Sequence, residues 1–118
     1  MDQAKQAGGS FMLNWKDLPM AKTDKGGRRE FFNKPTSQLG KFEMHTTMLN
    51  KGMVSHDQHR HTEEEIILII RGNTEMHIAD SFHSASAGDL VFLSSGVLHA
   101  LRNTGDGPCE YFAFQWKQ

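Results

Sequence analysis

The chain predicts an all-β fold, a sandwich or barrel, on three observations. Apolar and polar residues alternate with the period of two that an extended strand imposes, turn formers recur at short intervals between these stretches, and no segment sustains a helical period. At 118 residues the chain is long enough for one hydrophobic core and too short for two.

Taken in order, residues 1–10 read as a polar, glycine-containing flexible tail. Residues 11–39 mix the apolar FMLNW stretch with Pro19, Pro35 and the turn-like KTDKGGRRE, and are expected to form an N-terminal arm or short strands. Residues 40–118 carry the barrel. In KFEMHTTMLN, Phe42, Met44, Thr46 and Met48 alternate against Glu43, His45, Thr47 and Leu49. EEIILIIR follows, then a turn at Gly72-Asn73 and the strand TEMHIA. A turn at Asp80-Ser81 precedes SFHSAS, which leads into GDLVFL. SSG turns the chain into VLHALRN, and TGDGP into the last strand, CEYFAFQW.

Ile66, Leu68 and Ile70 face opposite to Ile67 and Ile69, yet both sets are apolar. A strand with one wet face alternates apolar with polar, so this strand is expected to be covered on both sides. The second cover comes from the N-terminal arm or from another subunit. A homodimer in which the two sheets meet is expected, since an open aliphatic face is an aggregation liability.

Composition excludes several classes of function. A net charge of -1 leaves no electrostatic footprint for nucleic acid. The longest apolar run, Ile66 to Ile70, is too short to span a bilayer, so no membrane partner is expected. The single cysteine, Cys109, permits neither an internal disulfide nor a thiolate metal site, and is expected to be inert. The opening MDQAKQAGGSF has no apolar leader region. That fits a cytoplasmic protein, or a periplasmic or secreted one whose leader has been removed. Seven histidines are the one compositional excess.

Two of them, His59 and His61, lie two apart, so on an extended segment both imidazoles point to one side. Glu65 opens the aliphatic strand, where an ionised carboxylate is costly unless a cation compensates it. His99 sits in a second apolar strand. Three neutral imidazoles and one carboxylate suit a divalent transition metal, without choosing among Fe, Mn, Ni, Cu and Zn.

The run of Gly52, His59, His61, Glu65 and Gly72, followed by Gly88, Ser94, Gly96, His99 and Asn103, resembles the two motifs of the cupin family in order and spacing. Gly52 lies one residue early, and Ser94 stands where the family has proline; neither change removes a ligand. The 15 residues between Gly72 and Gly88 match the compact hairpin of small single-domain cupins of the conserved-barrel, cupin 2 type. The resemblance covers Gly40 to Gln118. It implies a double-stranded β-helix, a cupin jelly-roll barrel, holding one divalent metal per chain through His59, His61, Glu65 and His99. Four protein ligands would leave one or two coordination positions for water, dioxygen or a chelating small-molecule substrate.

The function so implied is a metal-dependent enzyme acting on a small organic molecule. It would be a dioxygenase if the metal is iron, and an isomerase, lyase or hydrolase with manganese, nickel or zinc. The alternative is a non-catalytic cupin that binds or senses a sugar or carboxylate. Metal-free sugar epimerases of the family use a histidine base and a tyrosine acid; the only tyrosine here, Tyr111, lies in the last strand, which disfavours that branch.

Among other polar residues, Arg71 shares the Glu65 face by strand parity and is a candidate for substrate binding at the barrel mouth. His45 shares a face with Glu43 and Thr47 and is a second candidate. Arg102 is out of phase with His99 and is expected to point away. His56, His77 and His83 read as surface or turn residues, Glu63 and Glu64 as solvated, and Phe112, Phe114 and Trp116 as core.

Overall fold

The structure is a computed structural model and describes residues 9–118. The expected tail falls almost wholly outside the described residues. A single 3-10 turn at Trp15–Asp17 precedes nine strands: β1 (Ala21–Thr23), β2 (Gly26–Lys34), β3 (Lys41–Leu49), β4 (Glu64–Arg71), β5 (Asn73–Ile78), β6 (Ser81–Ser86), β7 (Leu90–Leu93), β8 (His99–Asn103) and β9 (Cys109–Lys117). Among the described residues no helix is long and apolar enough to cross a membrane.

The strands form two antiparallel sheets. The larger runs β1-β2-β3-β9-β4-β7 and the smaller β6-β5-β8, and together they make the jelly-roll barrel. The 11–39 segment contributes β1 and the nine-residue β2, which pairs with β3 from Gly26↔Leu49 to Lys34↔Phe42. A bulge between Glu30 and Phe32 interrupts that ladder. Phe31 then packs at a steep angle against Trp15 and Phe112, while Phe32 packs edge-on against Phe11 and Phe42.

The core lies between the two sheets. From the larger sheet Leu49, Ile67, Ile69 and Leu93 point inward, and from the smaller Met76 and Leu101 meet them. Each such side chain contributes about 1.5–3 kcal/mol by leaving water. In β4, Glu65, Ile67 and Ile69 are buried while Ile66, Leu68 and Ile70 are half-buried on the outer face.

The last strand inverts one expectation. Cys109, Tyr111 and Ala113 face the interior, whereas Phe112, Phe114 and Trp116 lie half-buried on the outside. The aromatic set was the apparent core because both faces of β9 are apolar, and parity alone does not say which faces in. Space decides: the interior holds a cavity beside Ala113, and three large rings would fill it.

Gly72 links β4 to β5 at a φ of 88°, a left-handed conformation that side chains disfavour. A Cβ there would lie 2.8 Å from the Cys109 Cα and 3.0 Å from the Pro108 carbonyl oxygen. Gly88 and Gly96 share the positive φ but have open space where a Cβ would go. Gly72→Ala should therefore lower stability by about 2–4 kcal/mol, combining backbone strain with overlap. Gly88→Ala should cost only about 1–2 kcal/mol. Denaturant melts of the two variants would measure the difference, and equal losses would mean that the approach of Cys109 to Gly72 relaxes freely.

Candidate metal centre

The loop between β3 and β4 carries His56, His59 and His61, and backbone hydrogen bonds lay it against β8 like an extra strand. The Ser55 N–H donates to the Leu101 carbonyl at 2.8 Å, and the Leu101 N–H donates back to the Ser55 hydroxyl at 3.1 Å. His59 and His99 exchange both main-chain hydrogen bonds, at 3.1 and 2.9 Å, and the Gly96 N–H closes the end on the His61 carbonyl at 2.8 Å. Residues thirty-five and more apart in sequence are thus brought opposite one another, with imidazoles on the barrel side.

Glu65, first inward residue of β4, is the centre of the cluster. Its Oε1 lies 3.1 Å from His61 Nε2 and 3.3 Å from His99 Nε2, and its Oε2 accepts from the Gln115 amide at 3.3 Å. The other nitrogen of each ring faces a backbone carbonyl: His61 Nδ1 is 3.0 Å from the Glu63 oxygen, and His99 Nδ1 is 3.0 Å from the Val97 oxygen. A carbonyl only accepts, so these partners assign the proton to Nδ1 in both rings. Each Nε2 then turns a lone pair toward the same carboxylate oxygen. The buried His99 Nε2 makes no hydrogen bond, its contact with Glu65 being poorly aligned.

Electrostatics follow from that packing. Burial pushes the Glu65 carboxyl up, but His99, Gln115 and His61 together carry it below its ordinary value. Burial also pulls His99 down, and the facing Glu65 outweighs it, so the imidazole is raised. His59 is held down at about 4, by burial first and then by His56, His99 and His61 around it.

Of the four residues singled out in the sequence, His61, Glu65 and His99 place donor atoms within 4.8 Å of one another. His59 converges instead with His99 and with His56, a residue read from sequence as surface. Spacing gave no signal for His56, because residues three apart share no face on an extended chain; the turn of the loop brings it in. His45 lines the cavity below the cluster, its Nδ1 2.6 Å from Glu43 Oε1. Arg71 does not reach the cavity. A bulge between Ile69 and Arg71 breaks the parity that put it on the Glu65 face, and its guanidinium lies 3.4 Å from Glu110 on the outer side. Glu63 is not simply solvated: it pairs with Lys41, which holds its carboxyl down at about 2.

The cavity has a volume of about 470 Å³. Its lining includes apolar side chains, Ile67, Met76, Leu101 and Ala113, and polar ones, Lys25, Arg28 and His45. Lys25 comes from the β1–β2 turn and Arg28 from the start of β2, a segment in which the sequence showed only a turn.

Fold and cluster together define a class, that of the small β-barrels with a histidine and carboxylate site inside. A model of the cupin domain matches residues 45–114, and the chain belongs to the cupin family. No curated protein sequence matches it. Among solved structures it resembles a predicted oxalate decarboxylase of Thermotoga maritima, at 20% identity and TM-score 0.76, over 92% of this chain and 100% of that one. It resembles an RmlC-like cupin of Shewanella frigidimarina at 16% identity and TM-score 0.73, over 90% of each. It also resembles the capsular polysaccharide assembling protein CapF of Staphylococcus aureus, at 18% identity and TM-score 0.69. That match takes in 86% of this chain but only 31% of the length of CapF. At these identities the likeness is one of fold.

Asn103, last residue of β8, holds the end of the strand that carries His99. Its amide donates to the Leu49 and Gly107 carbonyls, both at 2.9 Å, and its oxygen accepts from the Gly105 N–H at 3.0 Å. Asn103→Ala should cost about 2–4 kcal/mol, because it strands buried backbone groups. A thermal melt checks this, and an unchanged Tm would mean that water replaces the amide.

Proposed function

We propose that this protein binds one divalent transition metal and works as a metal-dependent enzyme on a small organic substrate. One observation carries the reading. Two imidazole lone pairs and a carboxylate oxygen converge with nothing between them to donate, an arrangement that repels itself unless a proton or a cation joins it. Three acceptors within 4.8 Å can close on an ion with bonds of about 2.1 Å. His61, Glu65 and His99 would hold it, with the fourth position on the His59 side. The carbonyls behind His61 and His99 fix both rings in the tautomer that ligation needs.

Such an ion supplies Lewis-acid activation of a bound oxygen or, as iron, chemistry with dioxygen. The remaining roles belong to side chains of the chain itself. Gln115 holds Glu65 in place through Oε2. The apolar lining excludes water, and the cavity admits only a small molecule. Glu43 Oε1 accepts a hydrogen bond from His45 Nδ1 and a second from Arg28, at 2.9 Å. His45 Nε2 is thereby left as the atom that takes a proton from a substrate or returns one.

Elemental analysis of protein purified without chelator should find near one equivalent of metal, and His61→Ala should weaken metal binding more than about 100-fold with the β fold intact. With the metal identified, small chelating carboxylic acids are the first substrates to try, and oxygen uptake separates iron chemistry from the rest. His45→Gln should keep the metal and lower kcat about 100-fold. Undiminished metal in His61→Ala would sink the site, and unimpaired turnover in His45→Gln would remove its proton role.

A homodimer is also proposed, through the outer face of the larger sheet. Trp15 and Phe31 pack on that face at Phe112. Leu90 and Phe92 remain 59% and 50% exposed beside Ile66, Leu68 and Phe114, a contiguous apolar patch. Sedimentation should give a dimer, and Phe92→Asp should give a monomer. A wild-type monomer at micromolar concentration would refute the interface.

A further inference from the structure

We propose that His56 is an alternative metal ligand, exchanging with His59 for one coordination position. This deepens the metal-site reading above and rests on it. Two observations independent of the sequence motif carry it.

The first is the tautomer. His56 Nδ1 lies 2.7 Å from the Asp57 carbonyl oxygen, the same carbonyl lock that His61 and His99 have. Its proton is therefore on Nδ1 and its Nε2 is a free lone pair. His59 has no such lock among the described residues. Of the four imidazoles in the cluster, the three prepared for ligation are His56, His61 and His99.

The second is the stack. The rings of His56 and His59 lie 3.5 Å apart and within 17° of parallel, and both place a donor atom within 4.8 Å of one on His99. Each lone pair lies in its own ring plane, and two stacked, nearly parallel planes do not meet at a nearby point. The two lone pairs cannot aim at one ion about 2.1 Å from each nitrogen. One ring can serve while the other stacks against it, and a small shift of the loop exchanges them. An exchangeable imidazole gives the ion a position that opens for a substrate without exposing the buried Glu65–His99 pair.

Cobalt(II) binding to four proteins tests this: wild type, His56→Ala, His59→Ala and the His56→Ala/His59→Ala pair. Affinity is read by chelator competition and ligand field by visible absorption, with circular dichroism to confirm folding. Each single variant should keep one equivalent of cobalt, weakened no more than about tenfold, with a shifted spectrum; the pair should lose more than about 100-fold. His59→Ala binding as weakly as the pair would overturn the proposal, since His56 would then substitute for nothing. His56→Ala binding as weakly as the pair would overturn it too, since His59 would then substitute for nothing. Wild type that takes up no cobalt would instead remove the metal reading itself. Should the alanine pair fail to fold, the corresponding glutamines keep the volume and decide the same question.

Discussion

Two imidazole nitrogens turned on one buried carboxylate oxygen are the constraint around which this molecule is arranged. Glu65 is 5% exposed at the start of an aliphatic strand, where a charge without compensation is expensive. Gln115 supplies one hydrogen bond and His61 and His99 surround the other oxygen. Their outer nitrogens are committed to backbone carbonyls, so the electrostatic debt at Glu65 is met only by a positive charge at the point where the three converge. A stability argument alone would place a leucine there.

Holding that convergence takes both sheets. Glu65 and Gln115 belong to the larger sheet, His99 to the smaller, and His61 to a loop stitched onto the smaller one. The barrel brings the four within contact distance only when β8 and β4 are both in register. Asn103 at the far end of β8 and Gly72 at the far end of β4 serve that register: one ties a strand end to Leu49, the other lets the backbone pass close to Cys109. The cavity exists for a related reason. Ala113 leaves unfilled a space that the outward-facing aromatics of β9 would otherwise occupy.

Strands β4 and β9 are largely apolar on both faces, and this is where period-two reasoning loses its discrimination. In β4 the inner face was legible because Glu65 marks it. In β9 nothing marks it, and alternation alone is satisfied with the aromatic side inward or outward. Two bulges add to the difficulty. The one after Ile69 moves Arg71 to the outer side beside Glu110, and the one at Phe31 sends that ring over Phe112. A bulge adds one residue and inverts parity beyond it, with no signature in composition.

Strand order in sequence, the turns between strands, and the identity of His59, His61, Glu65 and His99 as chemistry-bearing residues could be read from the chain directly. These depend on local backbone preference and on residue types whose burial needs an explanation. His56, Lys25 and Arg28 became visible as site residues only in three dimensions, as did the turning of His59 toward His56. Their positions are set by loop closure and by packing between segments far apart in sequence. Periodicity along one strand carries no information about which loop folds back against it.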